Sequence, residues 1–571
     1  MSPRRLWLVV LCAVALGVFF RAYNLDRKTY WEDEMLGTMR MLGYTEAEMV
    51  QAAPRLTRAA DVQAYLRLPA DRAKDRLSNT VTALAAEDPQ HPPGYYLLAH
   101  LWAEPFGTSP LALRSLPALF GVLLLPCVFW LSLELFESRP IAAVAVALTA
   151  VSPIFVLYAQ EAREYSLWAV MIALSSAAFL RASRSTGDGN GNHGGNRNGY
   201  GGNGEGNGNG NAIAAWSAYC ASLALGLYVY PLTALPALGH GLFLLAHDGF
   251  RWTRATAAYL VALAVAVAAF APWIVVTLRA HGLSNGLRGL SGITGAQLSM
   301  GSRLSALGHD LRSPFVDLGY MHAGTVWGAA ITAALGALAC ALALYAAFAL
   351  ARRQPFRAWG FVLCALCLPL VPLFFYRGFV YQVRYFAPLH LGLILAVAAL
   401  IASKLSIRAK TAKLGVRFEA APAAVAWPGP AAGGWAALLL LVLAVQTVSC
   451  YRSAQADTWW NKDGERSPAV ASIVNRADAP LVISRWFVPS VLALGYYLAP
   501  DVPLRVDLKC SNCSLTLRPR PRLLADTGAY RDVFVLDPPA DVPGRGRYRP
   551  IDPRPFPART AGLTMFQSLS R

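Results

Sequence analysis

Leu6-Trp7-Leu8-Val9-Val10-Leu11-Cys12-Ala13-Val14-Ala15-Leu16-Gly17-Val18-Phe19-Phe20, closed by Arg21-Ala22, is an apolar run of membrane-crossing length, and Tyr30-Trp31-Glu32-Asp33-Glu34 follows it within about a dozen residues. The run is preceded by Met1-Ser2-Pro3-Arg4-Arg5, a signal-like start. No A-x-A-like cleavage site stands before Arg21, so the segment reads as a retained first helix. Working outward, similar runs recur at 113–134, 141–159, 165–181, 213–230, 231–247, 256–278, 323–351, 358–376, 385–402 and 434–450. The pattern predicts an all-α polytopic membrane protein of about eleven transmembrane helices.

Composition agrees. Of 571 residues 55% are hydrophobic and 15% charged, against roughly 25% charged in an average soluble domain. Lys plus Arg exceed Asp plus Glu by 51 to 33, a net charge of +18. In a soluble protein that excess raises the question of nucleic acid. Here the basic side chains cluster at the ends of apolar runs, where they orient helices and meet anionic membrane lipids, so nucleic acid is excluded as a partner. With the N-terminus inside, the cytoplasmic turns hold Arg4, Arg5, Arg139, Arg181, Arg184, Arg197, Arg251, Arg254, Arg352, Arg353, Arg357, Lys404, Arg408, Lys410, Lys413 and Arg417, as the positive-inside rule requires.

That orientation sets the domains. Residues 1–450 form the transmembrane domain, with a long first outer loop at 23–112, and 451–571 form an extracytoplasmic C-terminal domain. Residues 94–103 are apolar but too few to cross, and read as an aromatic helix lying in the interface. The stretch 187–211 holds 12 Gly and 8 Asn and reads as a flexible cytoplasmic linker. Short β-type runs at Leu481–Ser484, Leu504–Val506 and Asp532–Leu536, with a helix at Val488–Leu498, predict a small α/β unit. It has no glycine-rich phosphate-cradling turn. Six of the nine cysteines lie in apolar runs; Cys510 and Cys513, spaced C-x-x-C, suit a local disulfide, with a redox pair or half a zinc site as alternatives.

Polar groups that gather on the outer face carry the chemistry. Glu32, Asp33 and Glu34 open the first loop; alone they would read as a solvated acidic patch. Asp88 and His91 sit in Glu87-Asp88-Pro89-Gln90-His91-Pro92-Pro93, where paired prolines stiffen the backbone at the water boundary. Gln160, Glu161, Arg163 and Tyr165 fill a tight turn between two apolar runs, and charge at membrane depth is costly enough to be mostly functional. The plain alternative is an ion pair between Glu161 and Arg163. Arg377, Gln382, Arg384 and Tyr385 form a further outer group, in which the planar fork of the two arginines suits a phosphate; snorkelling interfacial arginines are the alternative.

At these residues the chain resembles the GT-C superfamily of membrane glycosyltransferases, in particular the bacterial branch related to protein O-mannosyltransferases and the lipid A aminoarabinose transferase. The stretches that carry the resemblance are Trp31–Glu34 (W-x-D-E), Asp88–Tyr96 (D-x-x-H-P-P-x-Y-Y), Arg114–Pro117, Ser152–Leu167 (S-P…Q-E-A-R-x-Y-S-L) and Arg384–Pro388 (R-Y-x-x-P). It departs at Gly94, where Leu is usual, and at Glu164, where Met is frequent. The resemblance implies a multi-pass inner-membrane enzyme, a polyprenyl-phosphate sugar donor, a lipid, glycan or protein acceptor, and a catalytic Asp carried here by Asp33. On this reading a single inverting displacement uses Asp33 as base; Arg384 and Arg163, with His91, hold the departing phosphate. Glu34, the second catalytic carboxylate on this reading, and Glu161 orient sugar hydroxyls or a divalent cation, Mg or Mn, for which Asp33 and Glu161 are the candidate ligands. The rivals are a transporter or lipid-linked-sugar flippase, which should carry charges in mid-span and inverted repeats, and a ligase-like transferase using diphosphate-linked glycans, which should place its large outer loop late in the chain.

Overall fold

The computed structural model describes residues 2–69, 71, 76–187, 208–289, 299–320, 326–375, 382–405, 432–459, 467–484, 487–510, 530–536, 548–551 and 565–568. The chain divides into two compact units. One comprises Met1–Tyr23 and Pro117–Gln455, the other Asn24–Leu116 and Ala456–Arg571. The first long loop therefore shares a unit with the C-terminal segment, a grouping that a linear division at residue 450 does not express.

In the first unit, Ser2 caps the opening helix Pro3–Ala22, and Pro3 occupies a first-turn position where no N–H is needed. Among the described residues nine helices are long and apolar enough to cross a membrane, or ten if a bent pair counts as one span. The chain is a multi-pass helical membrane protein. Val383–Lys404, 89% buried over its most apolar stretch, lies inside the bundle, while Arg254–Ala280, 22% buried, is peripheral. Two of the eleven expected runs differ. The run 231–247 opens with a tight turn at Pro231–Thr233, leaving a helix of 14 residues, Ala234–His247, short of the ~17 that a crossing needs. The run 141–159 breaks at Ser152-Pro153 into Arg139–Ala150 and Pro153–Ala159, bent by 56°, because proline cannot donate into the preceding turn.

Side chains from elsewhere satisfy the carbonyls that this break releases. Arg21 donates to the carbonyls of Ala150 and Thr149, placing a cation at the negative end of the Arg139–Ala150 helix. Gln446 donates to Leu148 O (3.1 Å) and Cys450 Sγ to Val151 O (3.2 Å). Gly17 permits the close approach: a Cβ there would lie 2.2 Å from Ala150 O.

The second unit is more ordered than a connecting loop. It contains the helices Glu32–Met41, Glu46–Ala52, Ala59–Gln63, Leu77–Glu87 and Gly94–Phe106, followed after the membrane helices by Ser467–Val474 and Val488–Tyr497. Its strands are β1 (Pro480–Ser484), β2 (Leu504–Val506), β3 (Asp532–Leu536), β4 (Tyr548–Ile551) and β5 (Met565–Ser568), in the order β2-β1-β3-β5-β4. β1 pairs in parallel with β2 (Val482 opposite Leu504) and with β3 (Leu481 opposite Val533); the Val488–Tyr497 helix is the crossover that the first parallel pair needs. β5 pairs antiparallel with β3 and β4. Leu481, Ile483, Val533 and Val535 form the core of the sheet. The three expected strands and the helix are present, and β4 and β5 are additional. Cys510 is disulfide-bonded; Cys513, Arg377 and residues 188–207 of the Gly/Asn stretch lie outside the described residues.

Candidate active site

The carboxylate triplet occupies the first turn of Glu32–Met41, where helix N–H groups favour negative charge. Its members have different surroundings. Glu34 is fully buried and accepts two hydrogen bonds from Arg114, Nε to Oε1 at 2.9 Å and Nη2 to Oε2 at 2.6 Å. The same guanidinium reaches the carbonyls of Leu25, Lys28 and Thr29, so one buried cation ties the chain before the helix to the helix itself. Glu32 accepts a hydrogen bond from Ser490 Oγ at 2.9 Å. Asp33, between them, is half-buried. Burial pushes the phenols of Tyr30 and Tyr497 well above their ordinary range, keeping both protonated beside the carboxylates.

The far end of the same helix organises the second motif. Arg40 donates to Asp88 Oδ2 at 2.7 Å and to Glu46 Oε1 at 3.0 Å, and Asp88 Oδ1 lies 2.8 Å from His91 Nδ1. A carboxylate at Nδ1 fixes the imidazole ring and its tautomer. Glu87 accepts from the N–H groups of Glu46 (2.7 Å) and Ala47 (2.9 Å); burial raises its carboxyl above the usual range, with those bonds pulling the other way. The Asp33 turn and the His91 turn are thus joined through one short helix.

The remaining candidates lie in the first unit. Gln160 donates to the carbonyls of Phe20 (2.6 Å) and Tyr23 (3.1 Å), a role in fixing the turn. Glu161 is buried and its carbonyl accepts from Arg163 N at 2.7 Å. Arg163 pairs with Glu164 at 3.3 Å, so the residue at which the chain departs from the resembled pattern supplies a carboxylate for that guanidinium. Tyr165 is the meeting point: Arg384 lies 5.2 Å and Arg163 5.8 Å from its ring centre, within cation–π range. Arg384 also lies 5.5 Å from the Tyr385 ring, which stacks on Tyr230. Arg384 lines a cavity of about 10 Å³ together with Tyr158, Tyr165, Ser166 and His390, room for about one water.

Sequence reasoning gave no role to Arg114, Ser490, Asp310 or His390. Asp310 and His390 are buried and 3.2 Å apart. Arg114 and His390 stand inside or beside apolar runs, the signal that marks costly polar groups; Ser490 carries no such signal. A divalent cation asks for several oxygen ligands, and among the described residues no three His, Cys, Asp or Glu side chains converge. Among the described residues these side chains make no fitting metal site.

No protein-family model and no curated protein matches the chain. Solved structures do. The oligosaccharyltransferase of Archaeoglobus fulgidus, tethered with an acceptor peptide containing the NVT sequon, is similar at 14% identity over 88% of this chain and 64% of that one, with a TM-score of 0.47; this chain thus spans 64% of its length. ArnT from Cupriavidus metallidurans in the apo state is similar at 16% identity over 88% of this chain and 85% of that one, with a TM-score of 0.48. Its form bound to undecaprenyl phosphate gives 14%, 87%, 85% and 0.49.

Proposed function

We propose that the chain is a glycosyltransferase that moves a sugar from a polyprenyl-phosphate carrier to a hydroxyl acceptor on the extracytoplasmic face of the inner membrane, with its N-terminus cytoplasmic. The observation that carries this reading is the placement of Asp33, half-buried in the first turn of a helix whose other end anchors Asp88 and His91, with Glu34 beside it fully buried against Arg114. A general base needs both a fixed position and access to its substrate.

In the proposed displacement the acceptor oxygen attacks the anomeric carbon and its proton passes to Asp33. The bond from that carbon to the phosphate oxygen breaks, its electron pair leaving with the carrier phosphate. Arg384 is assigned to that phosphate through charge-assisted hydrogen bonds, with Arg163 in a lesser part because Glu164 already engages it. One displacement inverts the anomeric centre. Glu34 is a positioning residue on this reading, since Arg114 engages both of its oxygens.

Mass spectrometry of envelope lipids, glycans and proteins from cells with and without the gene tests the proposal. A single species that loses a hexose or pentose when the gene is removed supports it and names the acceptor. An unchanged envelope, or transfer from a nucleotide sugar without carrier lipid, contradicts it.

A further inference from the structure

We propose that Ser490, contributed by the C-terminal segment, is a positioning residue for the Asp33 base, so that this segment is part of the catalytic apparatus. The inference rests on the reading of Asp33 given above. Three successive carboxylates repel one another: two charges ~6 Å apart at an effective dielectric of ~20 interact by roughly 3 kcal/mol. Successive residues also step about 100° around a helix, so each member needs its own partner. Arg114 serves Glu34. The hydroxyl of Ser490, a buried residue, serves Glu32 from 458 residues along the chain. Held there, Glu32 neither turns toward Asp33 nor takes its place before the acceptor.

The helix bearing Ser490 is fixed well enough to act in this way. Gln63 donates to the carbonyls of Gly495 (3.0 Å) and Leu498 (2.9 Å). Tyr30 N donates to the Tyr497 hydroxyl at 2.6 Å, and the Tyr30 and Tyr496 rings meet edge to face. Further back, Trp459 Nε1 donates to Thr29 O at 2.8 Å, one of the carbonyls that Arg114 also reaches. The C-terminal segment thus holds the residues just before the triplet as well as Glu32 itself.

The test uses membrane vesicles carrying the full-length chain, supplied with a polyprenyl-phosphate lipid extract of the same cells. The readout is formation of the product identified by its loss on gene removal. Ser490→Ala should lower apparent kcat about tenfold, a barrier change of about 1.4 kcal/mol, with the apparent KM for the lipid extract unchanged. Ser490→Thr, which keeps the hydroxyl, should retain most of the rate. Combining Ser490→Ala with Glu32→Ala should be no worse than Glu32→Ala alone, since the two remove one contact. Normal turnover of Ser490→Ala, equal impairment of Ala and Thr variants, or multiplying effects in the double variant would each overturn the inference while leaving the Asp33 reading intact. Wild-type turnover of Asp33→Asn in the same vesicles would remove that reading, and this inference with it.

Discussion

Glu34 and Arg114 form a buried bidentate ion pair, with oxygen–nitrogen distances of 2.9 and 2.6 Å and both side chains fully buried. Breaking such a pair strands a charge in the interior, at a cost of about 3–5 kcal/mol. Arg114→Met is therefore expected to lower thermal stability in detergent sharply, and Glu34→Gln to do so less, because the amide still accepts one hydrogen bond. Turnover of Glu34→Gln should fall together with the melting temperature. A Glu34→Gln protein of normal stability but abolished turnover would show that Glu34 takes part in the chemistry itself.

Arg384 is assigned to the carrier phosphate. Arg384→Ala should weaken binding of undecaprenyl phosphate to the detergent-solubilised protein by about 10- to 100-fold, since charge-assisted hydrogen bonds contribute about 1.5–3 kcal/mol. Arg384→Lys should recover only part of this, keeping the charge but losing the planar fork over Tyr165 and Tyr385. Unchanged binding in Arg384→Ala would move the phosphate site elsewhere.

Glu164 engages the second arginine. Glu164→Gln removes a competing negative charge and is expected to tighten undecaprenyl phosphate binding several-fold while lowering stability, because Arg163 then lacks its buried partner. Weaker phosphate binding in this variant would show that Arg163 needs Glu164 for its orientation.

The bend after Ala150 depends on close approach of the first helix. Gly17→Ala sets a methyl 2.2 Å from the Ala150 carbonyl oxygen, a backbone atom that cannot swing aside. A loss of about 1–3 kcal/mol is expected from such overpacking, measured as a lower melting temperature. An unaffected protein would mean that the first helix and the bend shift apart freely.

Much of this was legible in the sequence because membranes punish misplaced polarity. Arg163 and Arg384, beside long apolar runs, and the carboxylates close behind the first helix were conspicuous for that reason. The strands at Leu481, Leu504 and Asp532 stood out as short apolar runs between turns. Other features were hidden. A run-length reading averages over Pro153, which looks harmless in apolar surroundings yet ends one helix and begins another. Ser490 meets Glu32 across 458 residues, and Trp459 meets Thr29 across 430; no local periodicity encodes contacts at that range. The pairing of Glu34 with Arg114, 80 residues apart, was hidden likewise, so two neighbouring acids that look alike in sequence differ in burial and in assigned role.

The most direct measurement is the turnover of Asp33→Asn, which keeps the side-chain volume but removes the charge and most of the proton affinity of a base. In vesicles normalised for the amount of full-length protein, product formation should fall by about 10² or more, while the melting temperature and undecaprenyl phosphate binding stay at wild-type values. Near-normal turnover by Asp33→Asn, with Glu32→Gln or Glu34→Gln inactive at unchanged stability, would contradict the assignment of the base.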